Sequence, residues 1–332
     1  MLITVIVCTY NRCQVLAEAL ESIAASVMPS DVEWEVLVVD NNSSDRTHEV
    51  IERFRNQYSG RFRYLLEPRQ GLSFARNAGV FDSRGDVVAF TDDDVIVEPT
   101  WLSSLTITLQ SDKWAGVGGR VVPRWDRRPP RWLSPSGCLL QGPFVALDLG
   151  PDQLPMLQAP VGANMAFRKE VFGKYGGFRT DLGRSAENLL SREDSEFGDR
   201  LLAAGEHFLY EPSAVVYHPV PDERLNKKYL LSWSFGDGYS SFVMSGNSLQ
   251  YNWLCAGVPL HLFRRLARWS AQWLATINPA RRFECRMKVW SIAGAIWASH
   301  QRSLGARRRT ITDIAIVDTD PSADTSARKT AK

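Results

Sequence analysis

The first third of the chain alternates short apolar runs with stretches of helical periodicity, and few architectures accommodate that pattern. ITVIVC (3–8) precedes a helix whose Val15, Leu16, Ala19, Leu20 and Ile23 share one face. WEVLVVD (34–40) precedes a second, with Val50, Ile51, Phe54 and Tyr58 aligned. FRYLLE (62–67) precedes a third around Ser73–Phe81, and VVAFT (87–91) runs into acids. Strand, helix, strand, helix at this pace predicts a doubly wound, mostly parallel α/β sheet. Its site should lie beyond the carboxyl ends of the strands.

Three of those ends carry polar clusters: TYNR (9–12), DNNSSD (40–45) and TDDDV (91–95). They are far apart in sequence, but the fold would bring them to one edge. Helix capping accounts for Ser43 and Ser44. It does not account for Asp92, Asp93 and Asp94, whose charges repel at a strand terminus, and a cation resolves that conflict. Mg²⁺ and Mn²⁺ favour oxygen ligands, and Mg²⁺ is usually held by one or two carboxylates plus substrate phosphates. Alternate residues of a strand point the same way, so Asp92 and Asp94 could face the site together. Asp94 would then reach a metal-bound diphosphate and Asp92 a ribose hydroxyl. The D-x-D spacing alone is common by chance.

Two further features stay open on pattern alone. In SREDSEFGDRLLAAG (191–205), Glu193, Asp194, Phe197, Leu201 and Leu202 follow helical spacing. The acids either complement the helix dipole, at ~0.3–1 kcal/mol each, or supply a general base. His218 follows a strand in AVVYHPV (214–220) and is structural unless that strand end lies beside the D-x-D. No G-x-G-x-x-G follows the first strand and no G-x-x-x-x-G-K-[ST] occurs, which disfavours the usual dinucleotide and P-loop sites. GVGGR (116–120), next to a strand, fits close backbone approach better than a phosphate cradle. Residues 123–160, with Pro129 and Pro130, read as an irregular excursion over the sheet.

At 332 residues the chain has room for one large domain and an appendage. The expected division is a catalytic domain over 1–248, a basic helical region over 249–317 and a disordered tail over 318–332. The formal net charge is only +2, yet residues 251–310 hold eleven Arg or Lys against the single acid Glu284. That asymmetry predicts an anionic partner, here a membrane surface rather than a nucleic acid. Leu262, Phe263, Leu266, Trp269, Trp273 and Leu274 fall on one side of a helix, with Arg264, Arg265, Arg268 and Gln272 opposite. This is the composition of an interfacial helix. The alternative is that the apolar side packs on the catalytic domain. The five cysteines are scattered without a C-x-x-C pair, the first strand starts with no charged leader, and no apolar run reaches the ~20 residues of a membrane span. The expected location is cytoplasmic, peripheral on the inner face of the cell membrane.

VIVCTYNR, VLVVDNNSSD, ARNAGV, VVAFTDDDV, GANMAFRKEVF, GGFRTDLGR, SREDSEFGDRL and the following Tyr-His resemble, in order, the motif series of family 2 glycosyltransferases with the GT-A fold. The resemblance spans roughly residues 2–240. It implies an inverting transfer from a UDP- or GDP-sugar to a glycan or lipid-linked acceptor, with Mn²⁺ or Mg²⁺ at the diphosphate. By the same resemblance Thr9, Asp40, Asn11 and Arg12 lie at the base and ribose, and Arg76 and Asn77 line the donor site. Asp92 contacts ribose, and Asp93 takes the variable middle place of the donor-binding acids. Asp94 and His218 ligate metal, and Asp194 is the catalytic base of the Glu193–Asp194 pair. The chain departs from the family pattern at Asp40-Asn41-Asn42-Ser43, where DDGS is frequent, and at Arg192, where Gly is usual. Rival readings are a sugar nucleotidyltransferase, which would want a Gly-rich basic loop after the first strand, and a non-catalytic membrane-associated scaffold, which would tolerate loss of the acids.

Overall fold

The computed structural model describes all residues except 59, 112, 131, 134–141, 186–189, 246–253, 256 and 318–332, with only the backbone described over 305–317. The first four strands, β1 (Leu2–Thr9), β2 (Glu33–Asp40), β3 (Phe62–Leu66) and β4 (Val87–Asp92), form the parallel part of one sheet. Between them run helices α1 (Cys13–Ala24), α2 (Thr47–Gln57) and α3 (Leu72–Asp82). β1, β2 and β4 carry apolar runs buried on both faces, as a sheet covered on both sides requires, while β3 at the sheet edge is only half-buried.

The sheet continues through β5 (Ile96–Val97), β6 (Gly116–Trp125), β7 (Leu154–Met156), β8 (Met165–Arg168) and β9 (Phe208–Val220), in the order β3-β2-β1-β4-β8-β6-β9-β5, with β7 on β9. β8 runs antiparallel to both β4 and β6, while β6 and β9 are parallel. Hence β1, β2, β3, β4, β6 and β9 share one direction, and the sheet is mostly parallel as expected. The chain steps outward from β1 to β3 and then returns to β4 on the other side of β1. With right-handed crossovers that reversal places α1 and α2 on one face and α3 on the other. It also opens a crevice beyond the ends of β1 and β4.

Helices α4 (Trp101–Leu109), α5 (Glu170–Tyr175) and α6 (Glu193–Ala203) complete the layers around a single main core. At its centre Phe167, Phe172, Phe178 and Phe197 interlock, with ring centroids 4.6–6.0 Å apart. Packing is tight where α3 crosses β1: a Cβ on Gly79 would stand 2.7 Å from Ile6 Cγ2.

The C-terminal part is α7 (Lys227–Ser245), a small hairpin of β10 (Leu254–Cys255) with β11 (Val258–Pro259), α8 (Leu260–Ala275) and α9 (Pro279–Val317). α9 lies on α7, and Phe283 and Met287 enter a second core with Leu133, Phe144, Val220 and Leu230 from the preceding region. Residues on both sides of position 248 thus share this core. α8 packs through Leu262, with Leu266 and Trp269 half-buried against the same layer. No helix among the described residues is long and apolar enough to cross a membrane. Two local expectations are corrected. Residues 116–125, read partly as loop, are strand β6, and His218 lies within β9 instead of after it. The tail from 318 lies outside the described residues.

Candidate active site

The crevice predicted by the topology is a cleft of about 910 Å³. Three carboxylates enter it from the end of β4. Asp92 is partly exposed, while Asp93 and Asp94 are buried. Arg12, at the start of α1, forks across the last two: Nη1 donates to Asp93 Oδ1 and Nη2 to Asp94 Oδ2, each at 2.7 Å. The repulsion at the strand end is thus met in part by a guanidinium from the neighbouring strand end.

The fork leaves Asp94 Oδ1 buried without a hydrogen-bond partner. Facing it is His218 of β9, whose Nε2 lies 3.9 Å from Asp94 Oδ1 and 4.0 Å from Asp92 Oδ2. One ligand atom from each of Asp92, Asp94 and His218 falls within 4.8 Å of the others. An orphaned carboxylate oxygen, a second carboxylate and an imidazole form a donor set that suits Mn²⁺ or Mg²⁺. Burial holds the His218 imidazole below its ordinary pKa despite the two acids, so the ring is neutral and ligand-competent at neutral pH. Burial also opposes ionisation of Asp94, but His218, Arg12 and Arg224 together outweigh it and hold this carboxyl low. Asp93 goes the other way: burial, reinforced by Asp94, prevails over Arg12 and pushes it up to about 7.

The second acidic cluster reaches the same cleft. α6 opens with Glu193 and Asp194, and the two side chains diverge. Glu193 is buried, and its Oε1 accepts from Arg76 Nη1 at 2.6 Å. Asp194 lines the cleft; its Oδ2 accepts the Gly162 amide at 2.8 Å and its Oδ1 the Ser195 amide at 2.7 Å. Arg76, itself buried, lies between the clusters, with Nη2 3.8 Å from Asp92 Oδ1. Burial raises the Glu193 pKa and the Asp194 charge adds to this, with the Arg76 guanidinium opposing.

The backbone at Arg192 explains a departure noted in the sequence. Its φ is +76°, a conformation that favours glycine, yet Arg here donates from Nε to Asp237 of α7 at 2.8 Å. The arginine thus ties the start of α6 to the C-terminal helical layer. That layer walls the far side of the cleft, with Trp233, Trp269, Arg281 and Lys288 among the lining residues.

Other expected site residues divide. Thr9, Arg12, Arg76, Asp92, Asp93, Asp94, Asp194, Glu193 and His218 all line the cleft. Asp40 is buried just behind it, its Oδ1 accepting the Ser43 amide at 2.8 Å and its Oδ2 the Tyr64 hydroxyl at 3.2 Å. Asn11 does not line it. With φ +52°, its Oδ1 takes the Ser44 amide at 2.7 Å and staples the loop after β1 to the loop after β2. Asn77 also does not line it. Both of its amide atoms are bound at 2.8 Å to the backbone of Phe178, which fixes α3 to the segment after α5. The side-chain amide of Asn77 is thus committed to that junction. Two residues that pattern reading missed are Arg224, which faces Asp94, and Asn41, whose amide donates to the carbonyls of Glu67 and Arg69 at 2.9 and 2.7 Å. A lone Arg in a Pro-rich turn carries no sequence signal.

Comparison with known proteins agrees with this arrangement. The family model described as glycosyl transferase family 2 matches residues 4–176. The glucosyl-dolichyl phosphate glucuronosyltransferase of Haloferax volcanii is 30% identical over 74% of this chain and 77% of its own. The succinoglycan biosynthesis protein ExoM of Rhizobium meliloti is 30% identical over 70% of this chain and 71% of its own. Among solved structures, the mannosyltransferase PcManGT of Pyrobaculum calidifontis, in complex with GDP-Man and Mn²⁺, superposes with a TM-score of 0.55 at 20% identity, covering 96% of this chain and 81% of its own. Residues 1–349 of TarS from S. aureus superpose with a TM-score of 0.51 at 16% identity, covering 93% and 92%. These likenesses establish the GT-A fold, and the sequence relatives go further: the chain belongs to glycosyl transferase family 2 and is a glycosyltransferase.

Proposed function

We propose that the protein is an inverting, divalent-metal-dependent glycosyltransferase that moves a sugar from a UDP- or GDP-sugar to a hydroxyl of a glycan or lipid-linked acceptor. The observation that carries this reading is the shared cleft: the Asp92–Asp94–His218 cluster and Asp194 line one cavity, with Arg76 between them. Asp94 and His218, with Asp92 beside them, would hold Mn²⁺ or Mg²⁺. Bound there, the ion supplies Lewis-acid stabilisation of the charge that grows on a departing nucleoside diphosphate. PcManGT, of the same fold, is solved with GDP-Man and Mn²⁺, which supports a sugar-nucleotide donor. Thr9, Arg12 and Arg76 border the space that the donor would occupy.

Asp194 is the base. Each of its oxygens accepts one backbone amide, which fixes the carboxylate while leaving lone pairs for an acceptor hydroxyl. It takes the hydroxyl proton as that oxygen attacks the anomeric carbon and the C–O bond to the diphosphate breaks. One displacement inverts the anomeric centre. Glu193 acts through Arg76, which it holds in place by a buried ion pair. Asp194→Asn should leave donor affinity by calorimetry within about twofold and lower turnover by roughly 10²–10⁴. Near-normal turnover removes Asp194 from the role, and a product with retained anomeric configuration contradicts a single displacement.

Peripheral membrane association, on the inner face of the cell membrane, is part of the same reading. Much of the apolar side of α8 is spent on packing, but Phe263 stays exposed, and beyond it Leu274 is 72% and Ile277 94% exposed. Arg264, Arg265, Arg268, Arg281 and Arg282 are exposed around them. Apolar groups ringed by cations suit an anionic lipid surface, where a lipid-linked acceptor presents its hydroxyl. The full chain should float with anionic liposomes at low salt, and Phe263→Glu with Leu274→Glu and Ile277→Glu should stay in the soluble fraction. Equal behaviour of the two removes the membrane from the account.

A further inference from the structure

Arg224 is a nearly buried cation whose pairing is incomplete. It sits in the 3₁₀ turn Asp222–Leu225, shortly after the chain leaves β9 with His218. Leu225 is buried in the second core, and Asp222 Oδ2 forms an ion pair with Arg127 Nε at 2.9 Å, so the turn is held on both sides of the arginine. The Arg224 side chain is only 11% exposed, and its Nη2 lies 3.7 Å from Asp94 Oδ2, beyond hydrogen-bond distance. That oxygen is already taken by Arg12 at 2.7 Å. Arg224 Nη1 is buried and has no hydrogen-bond partner at all.

Arg12 already serves both Asp93 and Asp94, which leaves Arg224 Nη1 beside the acids without a partner. A buried donor without a partner is destabilising, so an arrangement that holds one against the cleft suits an anion that arrives later. The chemistry of that anion follows from position. Arg224 lines the same cleft as Asp92, Asp94 and His218, and a planar fork with free N–H groups matches phosphate oxygens.

We propose that Arg224 is a catalytic residue that binds the donor's diphosphate and stabilises it as the leaving group. The inference rests on the nucleotide-sugar reading above. In the transfer step the acceptor oxygen bonds to the anomeric carbon, its proton passes to Asp194, and the bond between that carbon and the diphosphate oxygen breaks. The electron pair stays with the nucleoside diphosphate. Arg224 Nη1 donates to an oxygen of that diphosphate, and its fixed charge meets the negative charge as it develops.

The test separates diphosphate recognition from general damage to the site. UDP, GDP, UMP and GMP are titrated by calorimetry into wild type, Arg224→Met and Arg224→Lys, with Mn²⁺ present, and each melting temperature is recorded. Wild type should bind UDP or GDP. Arg224→Met should weaken that nucleoside diphosphate by roughly tenfold to a hundredfold, as loss of a charged hydrogen bond implies. The matching monophosphate should change by less than about twofold. Arg224→Lys should recover part of the loss, because it keeps the charge without the fork. Unchanged diphosphate affinity in Arg224→Met overturns the assignment, and so does equal weakening of mono- and diphosphate. If wild type itself binds neither UDP nor GDP, the donor reading fails and the role of Arg224 fails with it. If wild type binds and the variant is unaffected, only the role of Arg224 fails.

Discussion

Asp93 sets burial against charge pairing, and its protonation should be visible in stability. Its folded pKa is raised from 3.8 to about 7. Between those values the folded state keeps a proton that the unfolded chain has released, so stability present at low pH is lost as pH rises through this window. Thermal unfolding of the metal-free protein should show that fall, and Asp93→Asn should flatten it; an unchanged profile in the variant places the titration elsewhere. Glu193 makes the complementary case. Glu193→Gln leaves the buried Arg76 charge without its 2.6 Å partner, and removing one member of a buried pair costs about 3–5 kcal/mol. A clear drop in melting temperature is expected, with Asp194 still in place. A variant as stable as wild type shows that the pair does not hold the site together. The acids were legible in sequence as types at strand and helix ends. Their division of labour was not, because it depends on which oxygen Arg12 or Arg76 reaches.

At the scale of elements, the parallel half of the sheet was readable because β1, β2 and β4 are buried on both faces and appear as apolar runs. β1, β2, β3 and β4 fall within a residue or two of the runs that announced them. β6 was harder: Gly116, Gly118 and Gly119 blur a strand pattern, and their reason is packing, since a Cβ on Gly116 would stand 2.6 Å from the Phe167 ring. The crossing of α7 and α9 was invisible for the same reason. A Cβ on Gly294 would come 2.0 Å from the Phe235 carbonyl oxygen, and one on Gly238 1.7 Å from that of Ser291. The helices touch backbone to backbone there. Gly294→Ala should therefore force them apart and destabilise the protein by about 1–3 kcal/mol, as overpacking does, although alanine is the better helix former. Chemical denaturation measures this directly, and a neutral or stabilising result contradicts so close a crossing.

For the whole molecule, the central point is convergence. The ends of β1 and β4, the start of α6 and the end of β9 come from separate parts of the sequence and meet in one cleft, which the helical layer of α7 and α9 completes on its far side. The sequence alone showed that strand ends would gather, because a doubly wound sheet requires it. It could not show that α9 would share a core with the region before it, since the amphipathic patterns of a docked helix and an interfacial helix are alike. The reaction proposed for that cleft is metal-dependent transfer from a nucleotide sugar. The most direct test is release of nucleoside diphosphate from UDP- and GDP-sugars by wild type and Asp94→Ala, with Mn²⁺ and with EDTA. UDP or GDP release is expected from wild type with Mn²⁺ only, and it should be lost in Asp94→Ala, which lacks the unpartnered Oδ1 of the Asp92–Asp94–His218 cluster. Equal release in EDTA, an unimpaired Asp94→Ala, or no release from either class of donor would contradict it.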